Sequence, residues 1–294
     1  MLLPFLILVR IVSNPLSNLF QKKLVSESAS PLFIIFITYG LLSIAALPLV
    51  VPIISAKPPF EFFMYMILCG IFTVWGNTLL VKALGYGDLS LLGPINSYKP
   101  IVGMIGGIFL LQEIPGTVGL LGVLFIIAGS YFIADNTGIK STSHKVKYFL
   151  TDKGIQLRFA ALLLSGTEAV FMKKAMTYSS PLFSMAMWCY MGFIISGLVV
   201  LLVYRKQLAD EYKVVSKMKL NYVFLFITTG LMQYSTFLIF DRMQVSYALA
   251  LFQTSILLSV FFGYKFFNEK NIKKRLIGSF FMIAGSVIII IFGK

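Results

Sequence analysis

Apolar runs about twenty residues long, parted by short polar breaks, constrain this chain more than any other feature. Residues 32–54 hold no charged side chain, and neither do residues 277–292. A helix needs ~20 such residues to cross the hydrocarbon core of a bilayer. With 58% hydrophobic and 12% charged residues, a soluble domain would lack the polar skin to cover its apolar surface. The runs do not alternate polar with apolar residues, which argues against a transmembrane β-barrel.

Ten spans can be read, at about residues 2–25, 31–54, 61–84, 89–111, 117–134, 154–177, 181–204, 220–241, 246–267 and 273–292. The first lacks the basic start and small-residue cleavage site of a signal peptide. A second pattern lies over the spans. Glu113, Leu120, Gly122, Phe125 and Ile127-Ala128-Gly129-Ser130 recur as Glu269, Leu276, Gly278, Phe281 and Ile283-Ala284-Gly285-Ser286, always 156 residues on. Phe20-Gln21-Lys22-Lys23 is echoed by Phe171-Met172-Lys173-Lys174, and Ser30-Pro31-Leu32-Phe33 by Ser180-Pro181-Leu182-Phe183. Such an echo marks an internal duplication. Five crossings per half is odd, so the second half must insert upside down. The expected fold is therefore all-α: a polytopic membrane protein of ten transmembrane helices, in two inverted five-helix repeats around a central cavity. Residues 1–138 form the first repeat, 139–153 the connecting loop and 154–294 the second repeat.

The net charge of +14 would suggest nucleic acid in a soluble protein. Here the lysines crowd the odd-numbered connections, as at Lys22 and Lys23, Lys140 to Lys153, Arg205 to Lys219 and Lys270 to Arg275. The positive-inside rule puts those connections in the cytoplasm and both termini outside. Expected partners are a small-molecule substrate and membrane lipid, not nucleic acid; the oligomeric state is unknown. Cys69 and Cys189 lie inside apolar runs and read as packing. His144 is the only histidine, so neither a zinc site nor a histidine-based triad is expected. No G-x-x-x-x-G-K-[ST] occurs. No cofactor, metal or catalytic residue is expected, and the chain does not read as an enzyme.

Polar residues inside the spans carry the functional reading. In the first span Arg10, Asn14, Asn18, Gln21 and Lys22 share one helical face, with Pro15 at mid-span. Such a stripe lines a wet cavity or bonds neighbouring helices. Trp75 and Asn77 interrupt the third span. The fourth reads Gly-Pro-Ile-Asn-Ser-Tyr-Lys-Pro from Gly93 to Pro100, and its prolines should break the helix near the midplane. Lys99 is costly at that depth. Glu168 is central in the sixth span, Gln233 and Tyr234 in the eighth, and Gln253 in the ninth lies level with Lys99. Lys99 and Glu168 form a structural ion pair in one reading. In the other, Arg10 and Lys99 attract a substrate carboxylate or phosphate. Asn14, Asn18, Asn77, Asn96, Tyr98, Gln233, Tyr234 and Gln253 then supply hydrogen bonds, and Trp75 a wall. Glu168 would bind a substrate ammonium or carry a coupling proton. Glu113 and Glu269 read as helix-end charges that complement the following helix.

Lys82-Ala83-Leu84, Pro94, Gly107, Glu113 and Gly122 to Gly129, echoed by Gly263, Glu269 and Gly278 to Gly285, resemble the drug/metabolite transporter superfamily in its EamA-type ten-helix branch. The resemblance covers essentially the whole chain. It implies an inverted-repeat carrier in the cytoplasmic membrane of a prokaryote. The first, third and fourth helices of each half would line the cavity and the fifth would be peripheral. It implies export or exchange of small metabolites, such as amino acids, by alternating access. Such carriers are commonly drawn with both termini cytoplasmic, the reverse of what the loop charges here indicate. Sugar phosphates, nucleotide sugars or a lipid carrier are alternative cargoes. Efflux of lipophilic cations fits a basic cavity poorly, and a scaffold would not need central charges.

Overall fold

The computed structural model describes residues 2–50, 57–86, 92, 95–134, 151–267 and 273–292. Gly93, Pro94, Glu269, His144 and the connection 139–150 lie outside the described residues. Among those described, every regular element is a helix.

The helices are α1 (Leu2–Ser26), α2 (Pro31–Ala45), α3 (Leu47–Val50), α4 (Phe60–Tyr86), α5 (Lys99–Gly106), α6 (Thr117–Ala134), α7 (Lys153–Met176), α8 (Pro181–Val203), α9 (Leu208–Lys217), α10 (Lys219–Phe240), α11 (Val245–Gln253), α12 (Ile256–Phe267) and α13 (Lys273–Phe292). Six stretches are long and apolar enough to cross a membrane: α1, α4, α7, α8, α10 and Val245–Phe266. Shorter apolar helices accompany them at Pro31–Ala45, Lys99–Leu111, Thr117–Gly129 and Phe280–Ile289. The chain is an integral membrane protein.

Local chemistry sets several boundaries. Asp152 caps α7 by accepting from the Ile155 amide at 2.8 Å. Ser180 caps α8 ahead of Pro181, whose missing amide costs nothing in a first turn. The second span does not run unbroken to residue 54 as expected. It stops at Ala45 and restarts at Leu47, because Pro48 has no amide for the next rung of the ladder. The fourth span is broken, as its prolines require. A tight 3₁₀ turn at Asn96–Tyr98 leads into α5, and a wide π turn at Gly107–Leu111 ends at Gln112, whose φ is 56°. The ninth span, expected to be continuous, is interrupted at Thr254 and Ser255, between α11 and α12. No proline causes that break. The Thr254 hydroxyl bonds back to the Leu251 carbonyl, and Ser255 accepts from Asn14 of α1. Lys99 and Ser255 stand 156 residues apart, so the two breaks fall at matching places.

Each helix of residues 1–138 finds its main partner among residues 154–294: α1 on α10, α2 on α8, α4 on α7, α5 on α11 and α6 on α13. Tracing contacts along these pairs gives their direction. Arg10 meets Thr236 and Ser17 meets Thr229, so α1 and α10 are antiparallel. Thr73 meets Glu168 while Tyr65 stacks on Tyr178, so α4 and α7 are antiparallel too. The α6–α13 crossing is the tightest. A β-carbon at Gly129 would stand 2.5 Å from the Gly278 carbonyl oxygen, and one at Gly285 would stand 2.5 Å from that of Gly122. Backbone lies against backbone there, which only glycine permits.

Glu113 does more than complement its own next helix. The left-handed Gln112 turns the chain so that Glu113 Oε2 accepts from the Val245 amide at 2.8 Å, at the first turn of α11. Oε1 pairs with Lys173 Nζ at 2.5 Å, and the same ammonium donates to the Met243 carbonyl at 2.6 Å. This clamp ties the α5–α6 turn to the start of α11 and the end of α7.

Candidate functional site: a polar cavity between the halves

A cavity of about 100 Å³ lies where α1, α4, α5, α7, α10 and α11 converge, with further walls from α2 and α8. Among the described residues, none of α6 or α13 lines it. From α1 come Arg10, Asn14, Ser17, Asn18 and Gln21, one helical face. From α7 come Ala161, Ser165, Glu168, Ala169 and Met172. These are the residues 151 positions on, the offset that relates Lys22 to Lys173. Likewise Gly76, Asn77 and Leu80 of α4 match Met232, Gln233 and Thr236 of α10 at an offset of 156.

Arg10 is buried. Its Nε donates to Thr236 Oγ1 at 2.7 Å, and its guanidinium carbon stands 4.5 Å from the ring centre of Phe252. Nη1 is buried with no hydrogen-bond partner. A fork held at one edge with a donor unspent suits a carboxylate or phosphate.

Glu168 lies on α7, buried. Its Oε1 accepts from Thr73 Oγ1 at 2.5 Å and from Trp188 Nε1 at 3.0 Å. The indole packs edge-on against Tyr39, whose hydroxyl accepts from Asn77 Nδ2 at 3.0 Å. Lys99 is the cation whose field acts most on Glu168, with Arg10 next, yet no ion pair joins either to it. The structural ion pair between Lys99 and Glu168 is thus not formed. No hydrogen bond or ion pair ties Lys99 Nζ to any described residue, which leaves the ammonium facing the cavity.

Arg10, Asn14, Asn18, Asn77, Asn96, Lys99, Glu168 and Gln233 all line this space. Gln253 stands just behind it, accepting from Asn96 Nδ2 at 2.9 Å and joining the broken α5 region to α11. Three aromatic candidates are elsewhere. Trp75 is 45% exposed and Tyr98 is 37% exposed, stacked on Phe159. Tyr234 is 43% exposed and borders a separate apolar groove between α2, α8 and α10. Each sits one or two positions from a cavity residue, and one step on a helix turns a side chain by ~100°. The expectation that Trp75 walls the cavity, with Tyr98 and Tyr234 beside it, is corrected accordingly.

Sequence reasoning passed over Ser17, Tyr39, Arg158, Trp188, Thr229, Thr236 and Phe252, all of which line the cavity. Carrying Glu168 back onto α1 by the 151-residue offset would have found Ser17. Arg158 has no charged counterpart to point to it, since Ile7 occupies the matching place. No group of three or more His, Cys, Asp or Glu side chains gathers among the described residues.

No curated protein matches the chain in sequence. A solved structure, titled only as the crystal structure of a protein, is similar in fold, with a TM-score of 0.68 at 15% identity over 97% of this chain and 94% of its own. The model of the EamA-like transporter family matches twice, at residues 3–134 and 152–291, once on each side of the cavity. By that double match, the chain belongs to the EamA-like transporter family, a family of membrane transporters.

Proposed function

We propose that this protein is a secondary transporter that exports or exchanges small polar metabolites, zwitterionic or anionic, with amino acids as the leading class. Arg10 Nη1, buried and without a partner, carries this reading. It receives the substrate carboxylate. Glu168 takes the substrate ammonium or a coupling proton. Both line the one cavity, and each lies within reach of the other's charge. A cavity of about 100 Å³ suits a small metabolite better than a drug-sized cation.

In this reading the chain makes ten crossings, as two inverted repeats over residues 1–138 and 154–294. The matching helices α6 and α13 cross antiparallel, Gly129 on Gly278 and Gly122 on Gly285, and this crossing and the matched cavity residues support it. Alternating access follows if the two halves rock about the cavity. Loop charge supports cytoplasmic odd-numbered connections and outside termini, in the inner membrane of a prokaryote. Reporter fusions at each terminus test that orientation.

The test of function is uptake of labelled amino acids into proteoliposomes. Arg10→Gln should lower uptake about 100-fold, the scale of losing a buried charge-assisted contact. Arg10→Lys should recover only part, because an ammonium lacks the fork. Uptake by Arg10→Gln equal to wild type would remove Arg10 from the substrate site.

A further inference from the structure

The charges around the cavity do not balance. Among the described residues, Arg10, Lys99 and Arg158 face it, against the single carboxylate of Glu168. A neutral zwitterion satisfies Arg10 and Glu168 and leaves two cations over. Arg158 and Glu168 are ten residues apart on α7, which puts Arg158 about 15 Å nearer the N-terminal end of that helix. A β-carbon at Gly166 would meet Val102 and one at Gly106 would meet Val170, so α5 runs alongside α7 and Lys99 stands level with about residue 163, between Arg158 and Glu168. The site is therefore extended, with a mixed-charge end at Arg10 and Glu168, a cationic end at Arg158, and Lys99 between them.

The cationic end is built rather than incidental. Arg158 is buried, and its Nε donates to the Leu92 carbonyl at 3.0 Å, which anchors one edge of the guanidinium. Lys99 begins α5, just past the break at Asn96–Tyr98, where Asn96 is held by Gln253. That anchoring fixes the start of the helix that carries the ammonium. Two desolvated like charges repel, and an anion between them relieves the repulsion.

We infer that Lys99 and Arg158 form a second anion subsite, and that the preferred cargo is a zwitterion bearing one further acidic group. This rests on the transport reading above and sharpens it from amino acids in general to acidic ones. Lys99 and Arg158 then set specificity, while Arg10 and Glu168 hold the part common to all amino acids.

Glutamate and glutamine are the probes, since they match in shape and differ in the side-chain charge. Uptake of each, labelled, is measured into proteoliposomes at sub-saturating concentration. Glutamate should enter at least tenfold faster than glutamine. Lys99→Gln and Arg158→Gln should each bring that ratio below two, and Lys99→Arg should keep it. Glutamate should also raise the Tm of the purified wild-type protein more than glutamine does, a reading that needs no variant. Asp88 lies four residues before Leu92 and outside the described residues, so Asp88→Asn serves as a control and should leave the ratio unchanged. A preference that appears only in Asp88→Asn would mean that Asp88 neutralises Arg158, and would overturn the subsite. Equal uptake of the two probes by wild type would overturn the subsite and leave the transport reading standing. Uptake of neither, with Arg10→Gln indistinguishable from wild type, would overturn both.

Discussion

Ser17 and Glu168 occupy matching places in the two halves, and so do their partners Thr229 and Thr73. On one side of the cavity the pair is two hydroxyls 2.9 Å apart. On the other a threonine and a tryptophan both donate to a carboxylate. Arg10 repeats the contrast, since its counterpart is Ala161. The backbone keeps the duplication where helices cross, and the chemistry departs from it where the cavity lies. Packing constrains both halves alike, because each must present the same shape to the other. A small asymmetric molecule sets no such condition, so the lining residues are free to differ.

The comparison can be broken most severely at the α6–α13 crossing. Gly129→Leu and Gly285→Leu each drive a side chain into a carbonyl that cannot move aside. Each should cost ~3 kcal/mol or more, and by about the same amount, in denaturant titrations of the purified protein. Unequal losses would show that the crossing is less symmetric than its contacts. Next in size is the clamp. Glu113→Gln leaves Lys173 half-buried without its counter-ion and should cost about 2 kcal/mol by the same titration, less than a fully buried pair would. Adding Lys173→Met should recover part of that, since the stranded charge is gone.

The two threonines test the contrast directly. Thr73→Val removes a bond to a charged acceptor and should cost ~1.5–3 kcal/mol, while Thr229→Val removes a neutral one and should cost ~0.5–1.5 kcal/mol. Equal costs in thermal unfolding would argue that Glu168 is not ionised in the resting protein. The smallest effect belongs to the aromatics that face away. Trp75→Phe and Tyr98→Phe should leave uptake within twofold of wild type, and a larger fall would bring them back to the site.

Much of the architecture was legible in the letters. The apolar runs, the repeated glycines around Gly122 and Gly278, and the prolines near Lys99 each state a requirement of lipid or backbone that few structures meet. The break at Ser255 was not legible, because no proline marks it and the backbone there simply tightens to bonds three residues back, Thr254 to Leu251 and Ser255 to Phe252. The site was legible by helical face and not by residue type. Asn77 and Gln233 point inward, while their neighbours Trp75 and Tyr234 point out, although an aromatic ring looks equally suited to either place. Arg158 was missed because a charge near a helix end usually snorkels to the interface, and only the packing of α7 against α4 shows it buried.

The glycine crossing has a mechanical consequence. Where two helices touch main chain to main chain, parting them by about an ångström forfeits roughly a quarter to a half of the attraction between the touching atoms. Among the described residues that crossing stands apart from the cavity lining, so a change of angle among the cavity-lining helices would not need to open it.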